Sequence, residues 1–401
     1  MPKDLLIGVI GAGGRGHLAR HAHHPEAGVR VVAGMDVQEE SLIAFRERFG
    51  QDTFVTKDYR ALLARDDIDA VFVTSPDNFH EEQAVAALEA GKAVYLEKPM
   101  AITVEGCDRI LAAAYRNRVR LYVGHNMRHM AFVKKMKELV DAGAIGEVKA
   151  GWCRHFVAYG GDAYFKDWHA DRRNTTSLLL QKGAHDIDVL HFLCGGYSTR
   201  VTAMGGLTVY GQIADRHDPS ERGDAKFRIE NWPPLSQKQL NPIIDVEDLS
   251  MMLMQLDNGV FCSYQQCHYT PDGWRNYTII GTEGRIENFH DTPGACVVRL
   301  WNRRIDYNPY GDEQFFIPRP STGQGGHGGA DPLIVAEFIR FVREGGPIQT
   351  SPIAARYSVA AGCMAAHSLR NRATPADIPP VPDDIRTYFD SHQAEAATCH
   401  G

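Results

Sequence analysis

No long apolar run, no closely spaced cysteine pair, no stripe of one charge and no internal repeat stands out in this sequence, and each absence removes a class of protein. The first apolar run, from Leu5 to Ile10, is six residues long and leads straight into glycines. That is too short for the core of a signal peptide, and no later stretch approaches the length of a membrane span. A cytoplasmic protein without a membrane partner is therefore expected. The eight cysteines (107, 153, 194, 262, 267, 296, 363 and 399) are dispersed and form no CxxC, so buried thiols are expected rather than disulfides or zinc ligands. The formal charge is −7 and the basic residues are scattered, which speaks against a nucleic-acid partner. An anionic small substrate stays open, because the local charge of a pocket can oppose the net charge.

What is present is enough chain for two domains: 401 residues, 44% of them hydrophobic. Up to about residue 124, short apolar runs alternate with helical patterns. Leu5–Ile10, Val29–Met35, Ala70–Thr74, Ala93–Leu96 and Leu121–Gly124 read as strands. Between them Leu18–His23 continues a helix opened by glycines, and further helices are expected at Ser41–Phe49, Glu81–Ala90 and Thr103–Asn117. Strands apolar throughout, with helices between them, predict a parallel sheet covered on both faces. The rhythm then changes to a helix at Ala131–Ala142, a long strand at Val148–Phe156 and a helix at about Leu178–Leu193. Two hairpins are expected: Met251–Leu256 with Val260–Cys267 around Asp257-Asn258-Gly259, and Tyr277–Ile280 with Arg285–Asn288. Gly211–Pro242 is polar and breaks the pattern, either as a substrate-covering or subunit-contacting excursion or as a plain surface insertion. Helices are expected at Pro332–Glu344 and Ala354–Asn371, and a loosely ordered tail beyond Thr374.

Gly11-Ala12-Gly13-Gly14-Arg15-Gly16 is GxGxxG between the first strand and its helix. An acid, Asp36, ends the next strand 20 residues past Gly16. That spacing is the dinucleotide fingerprint of a Rossmann domain. Gly11 permits the tight turn, Gly13 lets the backbone approach a pyrophosphate, and Gly16 allows close helix–strand packing. The helix N-terminus offers unpaired N–H groups to the phosphates. Asp36 accepts from ribose hydroxyls and repels a 2′-phosphate, so NAD is expected over NADP. Gly14 belongs to the same loop, and Arg15 is expected to meet the pyrophosphate. The fold class is thus α/β: a doubly wound Rossmann domain at 1–125, then an α+β domain at 126–375 with a large open, mostly antiparallel sheet, then a tail at 376–401. Helices near 330–371 are expected to pack back on the first domain.

Ala93-Val94-Tyr95-Leu96-Glu97-Lys98-Pro99-Met100 resembles the glucose–fructose oxidoreductase/inositol dehydrogenase (Gfo/Idh/MocA) family. Ser75-Pro76-Asp77-Asn78-Phe79-His80, Gly124-His125-Asn126-Met127-Arg128, Gly143-Ala144-Ile145-Gly146-Glu147-Val148, Gly183-Ala184-His185-Asp186-Ile187-Asp188 and Gly281-Thr282-Glu283-Gly284 carry the same resemblance. It extends to about residue 370. It implies NAD(P)-dependent chemistry on sugars, polyols or related alcohols, in dimers or tetramers built across the open sheet. Ser75, Pro76, Asn78, His80, Glu97 and Lys98 then join the cofactor-binding set, and Asn126 and Arg128 the substrate-binding set.

The tripeptide Glu97-Lys98-Pro99 also makes chemical sense alone. It follows a strand at the carboxyl edge of the sheet, where open α/β folds bind ligands. Pro99 keeps Lys98 out of helical geometry. A lysine there can hydrogen-bond the reacting oxygen and stabilise charge on it as hydride leaves carbon. By resemblance Lys98 is the catalytic lysine, His185 the acid/base and Asp188 a nearby structural or substrate-binding carboxylate. Imidazole titrates near working pH, as such a role requires. Lys182, His185 and Asp188 share a helical face at three-residue spacing. The chain departs from many relatives here: Gln181 stands where they carry an aspartate, and Thr175-Thr176-Ser177 replaces a glycine triplet. Either Lys182 or a residue of the sheet takes a role, or the reaction is not simple alcohol oxidation.

Arg154, His155, Trp168, Arg172 and Arg173 are candidate substrate contacts, the paired arginines suiting an anionic sugar or else surface ion pairs. Tyr264, Gln266 and His268 alternate onto one strand face, which either lines a sugar site or is solvated. A metal held by His185, Asp188 and His191 lacks a recognisable ligand set, so no metal is expected. Three functions follow. The first is an NAD-dependent dehydrogenase of a sugar, glycoside or polyol. The second is a glycosidase using NAD transiently through oxidation, elimination, water addition and re-reduction. The third is a non-catalytic NAD-binding regulator, against which Lys98 and His185 together speak.

Overall fold

Strands that are apolar at every position need cover on both faces, and the structure supplies it. It is a computed structural model and describes residues 4–221, 223–319, 326–394 and 396. The chain divides into two compact units, the first drawn from 1–129, 325–356 and 380–401, the second from 130–324 and 357–379.

The first unit holds β1 (Leu5–Ile10), β2 (Val29–Met35), β3 (Phe54–Thr56), β4 (Ala70–Val73), β5 (Ala93–Leu96) and β6 (Leu121–Val123), ordered β3-β2-β1-β4-β5-β6. Every pairing is parallel. This is the doubly wound order, with its switch point between β1 and β4. The segment after the glycine motif differs from expectation: Gly14–His21 is a 3-10 helix, not the start of an α-helix. The helix Val104–Asn117 begins where the Thr103 hydroxyl accepts the Gly106 N–H, and it ends at Arg118 with a positive φ. Residues 330–344 continue as a regular helix after three left-handed residues, His327 to Gly329. That helix buries Ile334, Val335, Phe338, Phe341 and Val342 in the same core as Leu5, Phe72, Tyr95 and Tyr122. The tail is ordered over most of its described length, contrary to the sequence expectation. Its helix Asp383–Asp390 sets Tyr388 edge-on to Tyr115. The Gln393 amide then accepts the Leu121 N–H and donates to the Leu121 carbonyl, satisfying the edge of β6. Cys399 lies outside the described residues.

The second unit is built on a nine-stranded sheet. Its strands are β7 (Val148–Phe156), β8 (Ser198–Gly206), β9 (Leu249–Leu256), β10 (Phe261–Cys267), β11 (Trp274–Gly281), β12 (Arg285–Phe289), β13 (Val297–Trp301), β14 (Glu313–Phe316) and β15 (Ala376–Asp377). They are ordered β14-β13-β12-β11-β7-β10-β9-β8-β15, and β7 with β10 is the parallel pair among antiparallel ones. Both expected hairpins are present. The first turns through three residues, with Gly259 alone at positive φ while Asn258 donates its side-chain amide to the Cys194 carbonyl. The helices Ala131–Asp141 and Gly183–Cys194 cover one face. The other face leaves Trp152, Met204, Met251, Leu253 and Phe261 exposed across β7 to β10. The 211–242 excursion is rooted in a small separate core with Val157, Phe165, Tyr210, Ile213, Leu240 and Val246. Among the described residues no helix is long and apolar enough to cross a membrane.

Candidate active site

In the first unit the glycine turn has no room for side chains where the fingerprint requires none. Gly11 has φ +86°, and a Cβ there would lie 2.6 Å from the Ser75 nitrogen. A Cβ on Gly16 would lie 2.2 Å from the Gly11 carbonyl oxygen. Gly14, by contrast, is exposed and has nothing within 4 Å of a Cβ position, so the turn presents open space on that side. Asp36 closes the turn: it accepts the Gly13 N–H at 2.8 Å on one oxygen and the Gln38 N–H at 2.9 Å on the other. Each oxygen keeps a lone pair, so the carboxylate can still accept ribose hydroxyls. This cradle fits a dinucleotide.

Arg15 corrects an expectation. Its guanidinium forks onto Asp331 at 2.7 and 2.9 Å, and its Nε donates to Glu97. Asp331 also accepts from Asn126 at 3.1 Å and meets His327 at 3.2 Å. Burial alone would raise the Asp331 pKa, but His327 and Arg15 hold it far below the carboxylate range. Arg15 is thus spent on internal carboxylates rather than aimed at a pyrophosphate, and Glu97 is its partner. Glu97 also accepts the Lys98 backbone N–H. It is buried, and the Arg15 and Lys98 charges outweigh that burial and keep it ionised. Lys98 itself is half-buried directly after β5. His80 is buried between the carbonyls of Ser75 and Pro99 at 2.8 and 2.7 Å, so it ties two turns together. Ser75 donates to Gln83, while Pro76 and Asn78 stand half-buried in the turn after β4. Asn126 and Arg128, expected at the substrate, hold the later segment instead, on Asp331 and on the Gln349 carbonyl at 2.6 Å.

The second unit assembles a site that no local motif announces. Sheet register sets Cys153, Tyr264 and Tyr277 in one row and His155, Gln266 and Arg275 in the next. Onto these rows the helix Gly183–Cys194 lowers Asp186, which is fully buried. The carboxylate meets Arg275 Nε at 2.9 Å, Tyr264 Oη at 3.0 Å, His155 Nδ1 at 3.1 Å and the Tyr277 hydroxyl. Burial alone would protonate Asp186, but Arg275 and His155 hold it far below the carboxylate range. Burial and Arg275 push His155 down to about 3, so it is a neutral ring. Lys182 lies at the junction of the helices Leu178–Gln181 and Gly183–Cys194. Its ammonium donates to Tyr159 Oη at 2.9 Å and stands 5.4 and 5.6 Å from the ring centres of Tyr159 and Tyr164. Burial would lower its pKa, but the two phenols raise it above the ordinary lysine value. His268 is fully buried, edge-on to Tyr164, and neither ring nitrogen has a hydrogen-bond partner among the described residues. Burial, with His155 and Lys182 nearby, pushes its pKa well below the ordinary histidine value.

Gln181, His185 and Asp188 are buried beside this set on the same pair of helices. Trp168 is half-buried and stacks on His169 at 3.6 Å. The three other arginines go elsewhere. Arg154 lies on the opposite face of β7 from His155 and bonds Asn276 at 3.0 Å. Arg172 pairs with Asp245 at 2.9 Å, and Arg173 forks onto Asp171 at the surface. The alternation of Tyr264, Gln266 and His268 is an inner face, not a solvated one. Sequence reasoning missed Asp186, Arg275, Tyr159 and Tyr277. Asp186 sat inside a quoted motif, but its partners come from strands 31 to 91 residues away.

Residues 5–125 match the model of an oxidoreductase family with an NAD-binding Rossmann fold, and residues 133–287 match the GFO/IDH/MocA C-terminal domain. The chain is 28% identical over 383 residues to a levoglucosan dehydrogenase of Pseudarthrobacter phenanthrenivorans, covering 87% of this chain and 92% of that one. It is 35% identical over 192 residues to an inositol 2-dehydrogenase/D-chiro-inositol 3-dehydrogenase of Halalkalibacterium halodurans, covering 47% of this chain and 52% of that one. A solved levoglucosan dehydrogenase with NADH and levoglucosan shares the fold at a TM-score of 0.75 and 21% identity, over 94% of this chain and all 100% of the other. GenD2 from gentamicin A biosynthesis, solved with NAD, aligns at a TM-score of 0.72 and 19% identity over 95% and 98% of the two chains. The protein belongs to the Gfo/Idh/MocA family of NAD-binding oxidoreductases.

Proposed function

We propose that this family member is an NAD-dependent dehydrogenase that oxidises a hydroxyl-bearing carbon of a sugar, glycoside or polyol. The observation that carries the reading is Lys98, set directly after β5 with its own N–H fixed by Glu97, in the same sheet whose first turn cradles the dinucleotide. Bound NAD supplies the hydride acceptor. Lys98 hydrogen-bonds the reacting oxygen and stabilises charge on it. The second unit carries its own buried polar set around Lys182 and His268, and neither His268 ring nitrogen has a protein partner among the described residues. Levoglucosan and inositol dehydrogenases among the relatives support that substrate class.

Purified protein with NAD and a panel of sugars, polyols and aryl glycosides tests the reading. NADH accumulating in step with substrate is expected, with Lys98→Met lowering kcat by roughly 10²–10³-fold. Aryl glycoside cleavage at trace NAD without net NADH would replace it with the transient-oxidation glycosidase.

The partner proposed for the open sheet face is a second copy of the chain. Met204, Met251, Leu253, Phe261 and Trp152 form an exposed apolar band there, larger than isolated surface residues require. Met251→Lys with Leu253→Lys is expected to halve the mass seen by light scattering; an unchanged mass sinks the idea. A cytoplasmic setting is supported by the free thiols of the seven described cysteines.

A further inference from the structure

Alcohol oxidation needs a group to take the hydroxyl proton, and the aspartate that would sharpen His185 is replaced by Gln181. Lys182, which follows, is a buried cation whose ammonium donates to a phenol, and a cation beside a phenol favours its ionised form.

The turn after β7 places that phenol. Tyr159 is followed by Gly160 and Gly161, which lie flat against their neighbours. A Cβ on Gly160 would fall 2.0 Å from the His268 carbonyl oxygen, and one on Gly161 would fall 2.7 Å from Gln237 and 2.8 Å from Tyr210. Gly160, which meets backbone, accepts no side chain without moving the turn, and Gly161 packs on side chains, so the segment that carries Tyr159 is closely seated. Its hydroxyl accepts from Lys182 Nζ at 2.9 Å. Lys182 is nearly fully buried, whereas Tyr159 keeps partial exposure. The cation therefore lies behind the phenol and leaves it one open side. Tyr164, packed against Tyr159 with ring centres 6.0 Å apart, stays an ordinary neutral phenol, raised to about 12 chiefly by burial.

We propose that Tyr159, backed by Lys182, is the group that receives the proton of the substrate hydroxyl, with Lys182 as its positioning residue. The proposal rests on the dehydrogenase reading above. The O–H bond breaks toward Tyr159 Oη, and its electron pair becomes the second bond of the new carbonyl. The hydride leaves the same carbon for the oxidant named there, and the phenol later returns its proton to water. Electrostatics agree. Burial would raise the Tyr159 pKa, but the charges of Lys182 and Arg275 and the Lys182 hydrogen bond outweigh it and bring the phenol below its ordinary value. On this account the phenolate fraction, and with it the oxidation rate, rises with pH at lower pH than a free tyrosine allows.

Two readouts on the full chain test this. Near-ultraviolet difference titration without substrate should show one tyrosine ionising below the others, lost in Tyr159→Phe, shifted up in Lys182→Met and kept in Lys182→Arg. With a sugar that turns over, Tyr159→Phe should lower kcat about 10²–10⁴-fold with NADH affinity unchanged. Lys182→Met should move the acid limb of the pH–rate profile upward, and Lys182→Arg should restore it. A Tyr159→Phe titration identical to that of the parent overturns the proposal. So does a Tyr159→Phe enzyme within about tenfold of the parent while His185→Ala is dead, since full proton-transfer catalysis is worth more than that. A low-titrating Tyr159 in a protein that reduces no NAD with any sugar supports the Tyr159–Lys182 pair and sinks the sugar-dehydrogenase reading instead.

Discussion

The first unit pairs its buried charge: Arg15 with Asp331 and Glu97, and the fully buried Arg356 with Asp108 at 2.8 Å. The second buries Asp186 under one arginine, two phenols and a neutral histidine, with His268 neutral beside Lys182. Paired ions inside a sheet scaffold hold chain segments in place; Arg15 and Asn126 both end on Asp331, in the helix that returns from residue 330. The second unit's set instead fixes each group in one state: Asp186 ionised, Lys182 charged, and His155 and His268 neutral. On the proposed reading the contrast separates the two halves of an oxidation: the nucleotide on a backbone cradle, the proton in a polar interior.

The largest test of that contrast removes the centre of the second set. Asp186→Asn takes from Arg275 the nearer of its two carboxylates, leaving Asp291 at 3.4 Å, and breaking a buried ion pair costs up to about 3–5 kcal/mol. Urea or guanidinium unfolding should show that loss. NADH affinity, which the proposed reading assigns to Asp36 and the glycine turn, should stay within about threefold because substitutions that share no partners add independently. A parallel loss of NADH binding would mean that the two polar interiors are not separable.

The next test strikes the first unit. Asp36→Ala removes the acceptor proposed for the ribose and frees the Gly13 and Gln38 N–H groups. Hydrogen bonds to a charged group contribute about 1.5–3 kcal/mol, so NADH should bind roughly 10–100-fold more weakly. Preference over NADPH should shrink, because the charge that repels a 2′-phosphate is gone. Fluorescence titration reads both, and unchanged discrimination would remove Asp36 from the ribose site.

These two mutants also mark what the sequence could show. The Asp36 cradle was legible because its parts are local: a turn, a helix start and one acid at a fixed spacing. Five of the six Rossmann strands and both hairpins were legible for the same reason, while the three-residue β3 at the sheet edge was not. Lys98 stood out through its tripeptide. Asp186 did not, because its meaning lies in Arg275 and Tyr277, which only the register of β7 and β11 brings to it. Arg15 misled for the converse reason, since its place in the phosphate loop was visible and its partner Asp331, 316 residues on, was not. The tail misled through its prolines, which gave no sign that Gln393 completes the edge of β6.

A smaller effect is read through pH. His155 is held down to about 3 when folded, against about 6.5 for a free histidine. As pH falls below about 6.5 the unfolded chain binds a proton that the folded chain refuses, so stability is full above that pH and declines by about 1.4 kcal/mol per unit. His268 is shifted in the same direction and adds to the slope. The depressed carboxylates Asp186 and Asp331 contribute only below about pH 4, where free aspartate titrates. Between pH 6.5 and 4.5 the loss should therefore come from histidines: His155 and His268 of the second unit, together with His21 and His23 of the first, which burial also lowers. His155→Gln, which keeps a donor for Asp186, should flatten the slope by about one proton. A slope unchanged in that variant would show that His155 is not the group refusing the proton.

The smallest effect concerns the arginines that first suggested an anionic sugar. Arg173 is 71% exposed in its side chain and already forked onto Asp171, and Arg154 stands on the far sheet face from His155. Exposed pairs of this kind contribute little, so Arg173→Ala should change kcat/KM for a neutral sugar by no more than about twofold. Sugar acids give the sharper comparison. If the second unit receives neutral hydroxyls, through His268 and Tyr159, then Arg173→Ala and Arg154→Ala should behave alike on glucuronate-type and glucose-type substrates. A tenfold rise in KM confined to the acid and to Arg173→Ala would mean that Asp171 gives up its partner when substrate arrives. The cation requirement would then lie at the rim of the second unit, while Lys182 remained committed to its phenol.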